Sequence, residues 1–238
     1  MKLTEQELLD RVLYRDGMIL VLNKPSGIAV HPGPGKGPNL ESLFGWLQYG
    51  LPRPPALVHR LDRDTSGCLV LGRHRKALAR AGKLFAGNNP ERRAIKTYLA
   101  ICVGVPAALE GTIDAPLVKK NDRVAGWEMK IAKPDDKEAV TALTTYKVLA
   151  SHDGYSLIEF SPKTGRTHQI RVHAAHIAVP LQGDPKYGEM GEGDRAAPFC
   201  LHASRIVLPL YPNREPLVVE APLPDIFEAE LKRLSLRT

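Results

Sequence analysis

The apolar residues of this chain fall mostly in short runs bounded by turn residues, and helical-period stretches do not alternate with them regularly. "MILVL" (18–22) runs into the turn residues Asn23 to Gly27. "CLVLGR" (68–73) and "AIKTYLAICVG" (94–104) are strands on either side of one amphipathic helix, "KALARAGKLFAG". "AVTALTTYKVLA" and "YSLIEF" pair as neighbours, and "ASRIVLPL" and "PLVVEAP" are late strands. Strands outnumber helices without the strand–helix–strand rhythm that a parallel sheet requires. The expected class is α+β, a mixed, mostly antiparallel central sheet flanked by helices and loops.

Local signals fill in the rest. Thr4 and Glu7 stand at capping-box spacing and predict a short helix or turn in the lead-in, residues 1–17. "LESLFGWLQYG" (40–50) has helical spacing and a terminal glycine, so a helix capped by Gly50 is expected. "HPGPGKGPN" (31–39) must be a loop. Residues 111–134 read as loops and short strands, "THQIRVHAAHIA" as a helix, and "PDIFEAELKRL" as a closing helix with Asp225 near its start. No repeat or long linker divides the chain, so residues 1–238 are expected to form one domain.

Composition narrows the class. With 43% apolar and 25% charged residues over 238 positions, the chain is not mostly disordered. Lys plus Arg exceed Asp plus Glu, 33 − 26 = +7, a balance that suits a polyanionic partner. Cys68, Cys102 and Cys200 are far apart and odd in number, which reads as buried thiols in a reducing compartment. The first residues lack a signal-peptide core, and "MILVL" is too short to span a bilayer. A soluble, cytoplasmic protein with no membrane partner is expected.

Chemistry concentrates in "LVHRLDRDTSG" (57–67), which packs three basic side chains and two carboxylates into eleven residues. Asp62 sits between Arg60 and Arg63, and neighbouring guanidinium groups keep a carboxylate ionised. A held, ionised carboxylate can act as nucleophile or base. The following "DTSG", with Thr65, supplies short side chains that bond their own backbone and a glycine free to take positive φ. A surface Asp–Arg pair in a turn satisfies the same residues.

"SPKTGRTHQIRVHAAH" (161–176) places a turn before a helix carrying Arg166, His168, Arg171, His173 and His176. A helix N-terminus with nearby arginines can seat phosphate oxygens, and Arg166 could pair with a carboxylate from elsewhere in the chain. A solvated basic helix face is the plainer reading. The histidines lack the HExxH pattern, so no metal is expected. "HPGPGKGPN" fails the phosphate-loop pattern, and its prolines remove donors, although His31 and Lys36 could still touch a polyanion. There is no G-x-S-x-G nucleophile elbow. In "KTYLA", Tyr98 is either a core tyrosine or an aromatic platform for an unstacked base.

"NKPSG", "HRLDRDTSG", "KTYLA", "TGRTHQIRVH", "GDPKYG" and "LHASRIVL" occur in that order, and together they resemble the RluA-type RNA pseudouridine synthases from about Ile19 to Phe227. The resemblance implies the pseudouridine synthase catalytic fold and an isomerase that detaches a uridine from its ribose in structured RNA, turns it and rejoins it through carbon 5. No cofactor is implied. By matching position, Asp62 looks like the catalytic carboxylate and Arg60 the residue that displaces the target nucleotide. Tyr98 looks like the tyrosine lying against the base, and Arg166 the cation that keeps the aspartate ionised, with Ile170 lining the pocket. His59, Arg63, Thr65, His168, Arg171 and His31 are expected to contact substrate or RNA.

Many relatives carry an N-terminal RNA-binding domain, and the residues before Met18 are too few to fold one. RNA choice is then expected to come from the catalytic domain, with "HPGPGKGPN" and the Lys119–Lys137 region. Val58 to Lys83 carries Arg60, Arg63, Arg73, Arg75, Lys76, Arg80 and Lys83 against Asp62 and Asp64, which suits a phosphate track. The RNA is expected to be ribosomal or transfer RNA and the protein a monomer. A non-catalytic RNA-binding protein using the same basic surface is the competing account.

Overall fold

The structure, a computed structural model, describes residues 3–32, 38–87, 92–122, 126–188 and 197–236. In chain order the elements are α1 (Glu5–Leu9), β1 (Val12–Arg15), β2 (Ile19–Lys24), a 3-10 helix (Glu41–Leu47), β3 (Ala56–Leu57), β4 (Ser66–Gly72) and α2 (Arg75–Ala86). There follow β5 (Ile95–Val103), β6 (Glu110–Asp114), β7 (Leu117–Asp122), β8 (Gly126–Ile131), β9 (Leu143–His152), β10 (Tyr155–Pro162) and α3 (Gln169–His176). The last elements are β11 (Leu201–Leu208), β12 (Leu217–Glu220) and α4 (Asp225–Arg233). Residues 33–37 of the expected loop, with Lys36, lie outside the described residues.

The chain packs as two compact units. The first comprises residues up to Lys96 together with His202–Pro224. Its strands run in the order β1-β2-β4-β11, with β12 pairing β11 and β3 pairing β4. Every pair is antiparallel except β4–β11, which is parallel through Ser66↔His202 and Gly67↔Ala203. Ile19, Val21, Cys68, Val70, Ala81, Leu84, Ile206 and Val219 form its core. All seven residues of β4 are buried, which explains its unbroken apolar run.

Gly67 has φ 102, and a Cβ there would run into the backbone of Ala203. Only glycine permits that approach of β11 to the start of β4.

The second unit comprises Thr97–Leu201 and Asp225–Thr238. Its strands run β5-β10-β9-β6, all antiparallel, beside a two-stranded ribbon of β7 and β8. The ribbon packs Leu117 and Met129 against Ala142 and Val172 of α3. Both sheets fit the mixed, mostly antiparallel α+β arrangement expected.

Several elements match their sequence signals closely. Thr4 and Glu7 form the reciprocal capping box of α1. Gly87 ends α2 in the left-handed conformation. The stretch 40–50 differs from its expectation, because residues 41–47 wind as a 3-10 helix. The Ser42 hydroxyl donates to the Asn39 carbonyl (2.7 Å) while the Asn39 side chain accepts from the Ser42 N–H (3.0 Å), and Gly45 sits mid-segment. Local bonds three residues apart and a weak helix former favour the tighter winding. β1 is a strand that the lead-in reading missed. No helix among the described residues is long and apolar enough to cross a membrane.

Candidate active site

In the first unit, residues 58–65 connect β3 to β4, and Asp62 lies on this connection. Asp62 is half-buried between exposed Arg60 and exposed Arg63, with Leu61 buried beneath. The carbonyls that follow Asp62 are tied down by "NKPSG". Lys24, at the end of β2, is 0% exposed, and its Nζ donates to the carbonyls of Pro25, Arg63 and Thr65, each at 2.8 Å. The Ser26 hydroxyl donates to the Asp64 carbonyl (2.7 Å) and the Gly27 N–H to that of Arg63 (3.0 Å). Three consecutive carbonyls after Asp62 are therefore held by one turn, of which Lys24 is the buried member.

Burial pulls the Lys24 amine down to about 7, against the attraction of Asp64 and Asp62. Its three acceptors match the three N–H groups of an ammonium, whereas a neutral amine offers two. The three acceptors suit the charged form, in which the amine is a buried cation attracted by both carboxylates.

His59 anchors the other end of the connection. Its Nε2 accepts from the Val70 N–H (3.0 Å), and its ring stacks on Phe85 with centroids 4.3 Å apart. Burial first, then Lys96, lowers it to about 3, so the ring is neutral at neutral pH. Thr65 is buried, with its carbonyl on Lys24. His31 lies off this connection, its Nδ1 2.6 Å from Glu41.

In the second unit, Tyr98 is a buried residue of β5 paired with Phe160 of β10. The turn before α3 is organised by Gln169. Its Oε1 accepts from the Arg166 N–H (3.0 Å) and the Thr164 hydroxyl (2.7 Å), while its Nε2 donates to Leu143 O (3.0 Å) and Thr144 Oγ1 (2.9 Å). Arg166 itself is exposed, with Nε donating to Thr141 O at 3.0 Å. Ile170 and Arg171 are buried on α3. The Arg171 guanidinium grips Asp184 through Nε (2.8 Å) and Nη2 (2.6 Å), a bidentate pair inside the protein.

Two histidines of this region have protein partners. His168 meets the Tyr187 hydroxyl (2.7 Å), and His173 lies between Thr144 Oγ1 (2.9 Å) and Ala115 O (3.0 Å). Burial lowers both, His168 to about 4. The thiols of Cys68 and Cys200 are pushed up to about 12 by burial, and that of Cys102 higher still, which leaves all three unreactive.

The structure thus brings His59, Arg60, Asp62, Arg63 and Thr65 onto one connection of the first unit. It gathers Arg166, His168, Ile170 and Arg171 at one end of α3 in the second, with Tyr98 on that unit's β5. Sequence reasoning missed Lys24, Gln169, Asp184 and Tyr187 as organisers. All four lie within quoted motifs, "NKPSG", "TGRTHQIRVH" and "GDPKYG", and only the partners they find in the fold reveal the role.

The fold agrees with comparison to known proteins. A model of the family described as RNA pseudouridylate synthase matches residues 18–176. An uncharacterized RNA pseudouridine synthase of Zymomonas mobilis is 39% identical over 92% of this chain and 96% of its own length. The ribosomal large subunit pseudouridine synthase C of Rickettsia prowazekii is 34% identical over 95% of this chain and 72% of its own. Among solved structures, human RNA pseudouridylate synthase domain containing 4 superposes with a TM-score of 0.81 at 30% identity, covering 98% of this chain and 96% of that one. The chain belongs to the RNA pseudouridylate synthase family.

Proposed function

We propose that this chain isomerises uridine to pseudouridine in structured RNA, ribosomal or transfer RNA, with Asp62 as the catalytic carboxylate acting on a flipped-out uridine. The observation that carries the reading is the clamp on the connection after Asp62. Lys24, Ser26 and Gly27 hold three successive carbonyls, so the carboxylate projects from an immobilised backbone and attracts a buried cation. A surface ion pair in a turn has no need of such support.

The reaction breaks the bond from the ribose C1′ to N1 and makes one from C1′ to C5, while C5 gives up a proton and N1 ends with one. Nothing is oxidised, so no redox cofactor is called for. An ionised carboxylate suits such chemistry as nucleophile or base. The target base must first leave its stack, at a cost of about a few kcal/mol. In the proposed division of labour Arg60 displaces it, Tyr98 lies against it, Ile170 lines its pocket and Arg166 supports the ionised form of Asp62. Phosphate contacts from the basic segment Val58–Lys83 repay the extrusion. The Rickettsia relative's name makes ribosomal RNA the first substrate to try and transfer RNA the second. The protein is proposed to work as a cytoplasmic monomer.

The test is Asp62→Asn, which keeps size and removes charge. Folding and RNA affinity are expected to persist while product formation falls by roughly 10²–10⁴-fold or more. A normal rate in that variant removes Asp62 from the chemistry. RNA binding without product formation by the wild-type chain, on both ribosomal and transfer RNA, favours the pure binder.

A further inference from the structure

The ribbon of β7 and β8 carries an exposed tryptophan in a setting that the proposed chemistry does not use. Trp127 opposes Asn121 across the ribbon and keeps 39% of its surface open. Met129, two residues along the same strand and on the same face, is buried with Leu117, Ala142 and Val172. The inner face of the ribbon thus runs from core to solvent, and Trp127 stands at its open end.

The ring is set among polar partners. The His168 ring stacks with it at 5.2 Å between centroids and 27° between planes. Lys186 Nζ and Lys119 Nζ lie 4.7 Å and 5.1 Å from the centroid of the indole. The backing ring is itself fixed. His168 holds φ 53, a left-handed conformation that is costly for a non-glycine residue. Its Nδ1 meets the Tyr187 hydroxyl, which accepts from the Met129 N–H at 3.1 Å. Tyr187 in turn lies over the Arg171 guanidinium, 5.0 Å from its ring centre. With its pKa lowered to about 4, chiefly by burial, the imidazole adds no positive charge at neutral pH.

We propose that Trp127 is a stacking seat for an unpaired base of the RNA, outside the uridine that reacts, with the phosphates flanking that base held by Lys119 and Lys186. The inference rests on the reading of RNA as substrate and says where a second nucleotide of it binds. An exposed indole takes the face of any base, and ammonium groups bind phosphates without regard to sequence. An acidic peptide would use the two lysines but leave the indole without a flat partner. His168 lies two residues from both Arg166 and Ile170, so a base held here belongs to the strand presented to those residues.

Trp46 is the only other tryptophan, so Trp46→Phe in the full chain leaves Trp127 as the sole indole reporter. In an Asp62→Asn background, adding a short single-stranded oligouridylate is expected to quench that fluorescence, and salt to reverse it. Trp127→Ala should weaken oligouridylate binding roughly 5- to 150-fold, while Trp127→Phe keeps most of it. Replacing Lys119 and Lys186 by Ala should lower the salt slope by about 1.4. The proposal is overturned if oligouridylate binds with the Trp127 emission unchanged. It is equally overturned if inorganic polyphosphate quenches as well as RNA, or if a folded Trp127→Ala binds as tightly as its parent. Should that variant fail to fold, the quench in the intact protein and the Trp127→Phe affinity decide. Pseudouridine formation by the wild-type chain is measured separately, so a failure of the enzymatic reading is told apart from a failure of the seat.

Discussion

Two turns in this molecule each have a buried polar side chain at their centre, and the two solve the problem with different chemistry. After Asp62 the holder is Lys24, a cation at 0% exposure that donates to three carbonyls. Before α3 the holder is Gln169, a neutral amide at 4% exposure that accepts twice and donates twice. The amide is self-sufficient, because both its donor and its acceptor are used and no charge is buried. The ammonium is the costlier choice, since burying a charge opposes the gain from its hydrogen bonds. That expense fits a turn carrying two carboxylates, Asp62 and Asp64, both of which attract Lys24. The turn carrying Arg166 has a cation on its outside and needs none within.

The sharpest way to break this contrast is Lys24→Met. It removes the donor to the carbonyls of Pro25, Arg63 and Thr65, of which that of Arg63 keeps the Gly27 N–H. At about 1–3 kcal/mol for each carbonyl left unsatisfied, a loss of about 3 kcal/mol in chemical denaturation is expected. Activity should fall further than residual folding explains, because the Asp62 backbone loses its anchor. A variant within about 1 kcal/mol of wild type and fully active would show that Ser26 and Gly27 suffice. Gln169→Leu should cost less, about 2 kcal/mol, since Thr164 can turn its hydroxyl elsewhere. If Gln169→Leu proves the more damaging of the two, the ranking of charged over neutral holder is wrong.

A further test concerns acid, which acts on both units at once. His59 in the first unit and His168 in the second have folded pKa values of about 3 and about 4, below the ordinary 6.5. Between pH 6.5 and 4 the unfolded chain binds protons that the folded chain refuses, so stability is lost as pH falls through that window. The two rings together cost about 4 kcal/mol over that window, so a melting temperature roughly 10 °C lower at pH 4.5 than at pH 6.5 is the expected reading. A flat profile would mean that both rings are protonated in place.

Much of this architecture is legible in the residues. Apolar runs mark β2, β4 and β5, and Thr4 with Glu7 and Gly87 mark the start of α1 and the end of α2. β1 escaped because four residues that include the polar-tipped Tyr14 and Arg15 carry too little periodicity, and its pairing depends on β2. Asp62 was singled out by its flanking arginines and then by the family resemblance. Lys24 could not be found in the same way, because lysines are almost never fully buried, and this one is buried only through carbonyls up to 41 residues away. Arg171, expected to contact RNA, has its guanidinium committed to Asp184, a partner 13 residues on that its own helix does not announce.

The parallel contact at Gly67 has a consequence for how errors would show themselves. Because no side chain fits between Gly67 and Ala203, β4 cannot slide along β11 by one residue without a steric collision. A slip of that size would turn every β4 side chain to the opposite face and drag the preceding connection with it. A defect introduced at position 203 would therefore surface as a misaimed carboxylate at position 62, far off along the chain, and would pass for a chemical lesion when its origin is one of alignment.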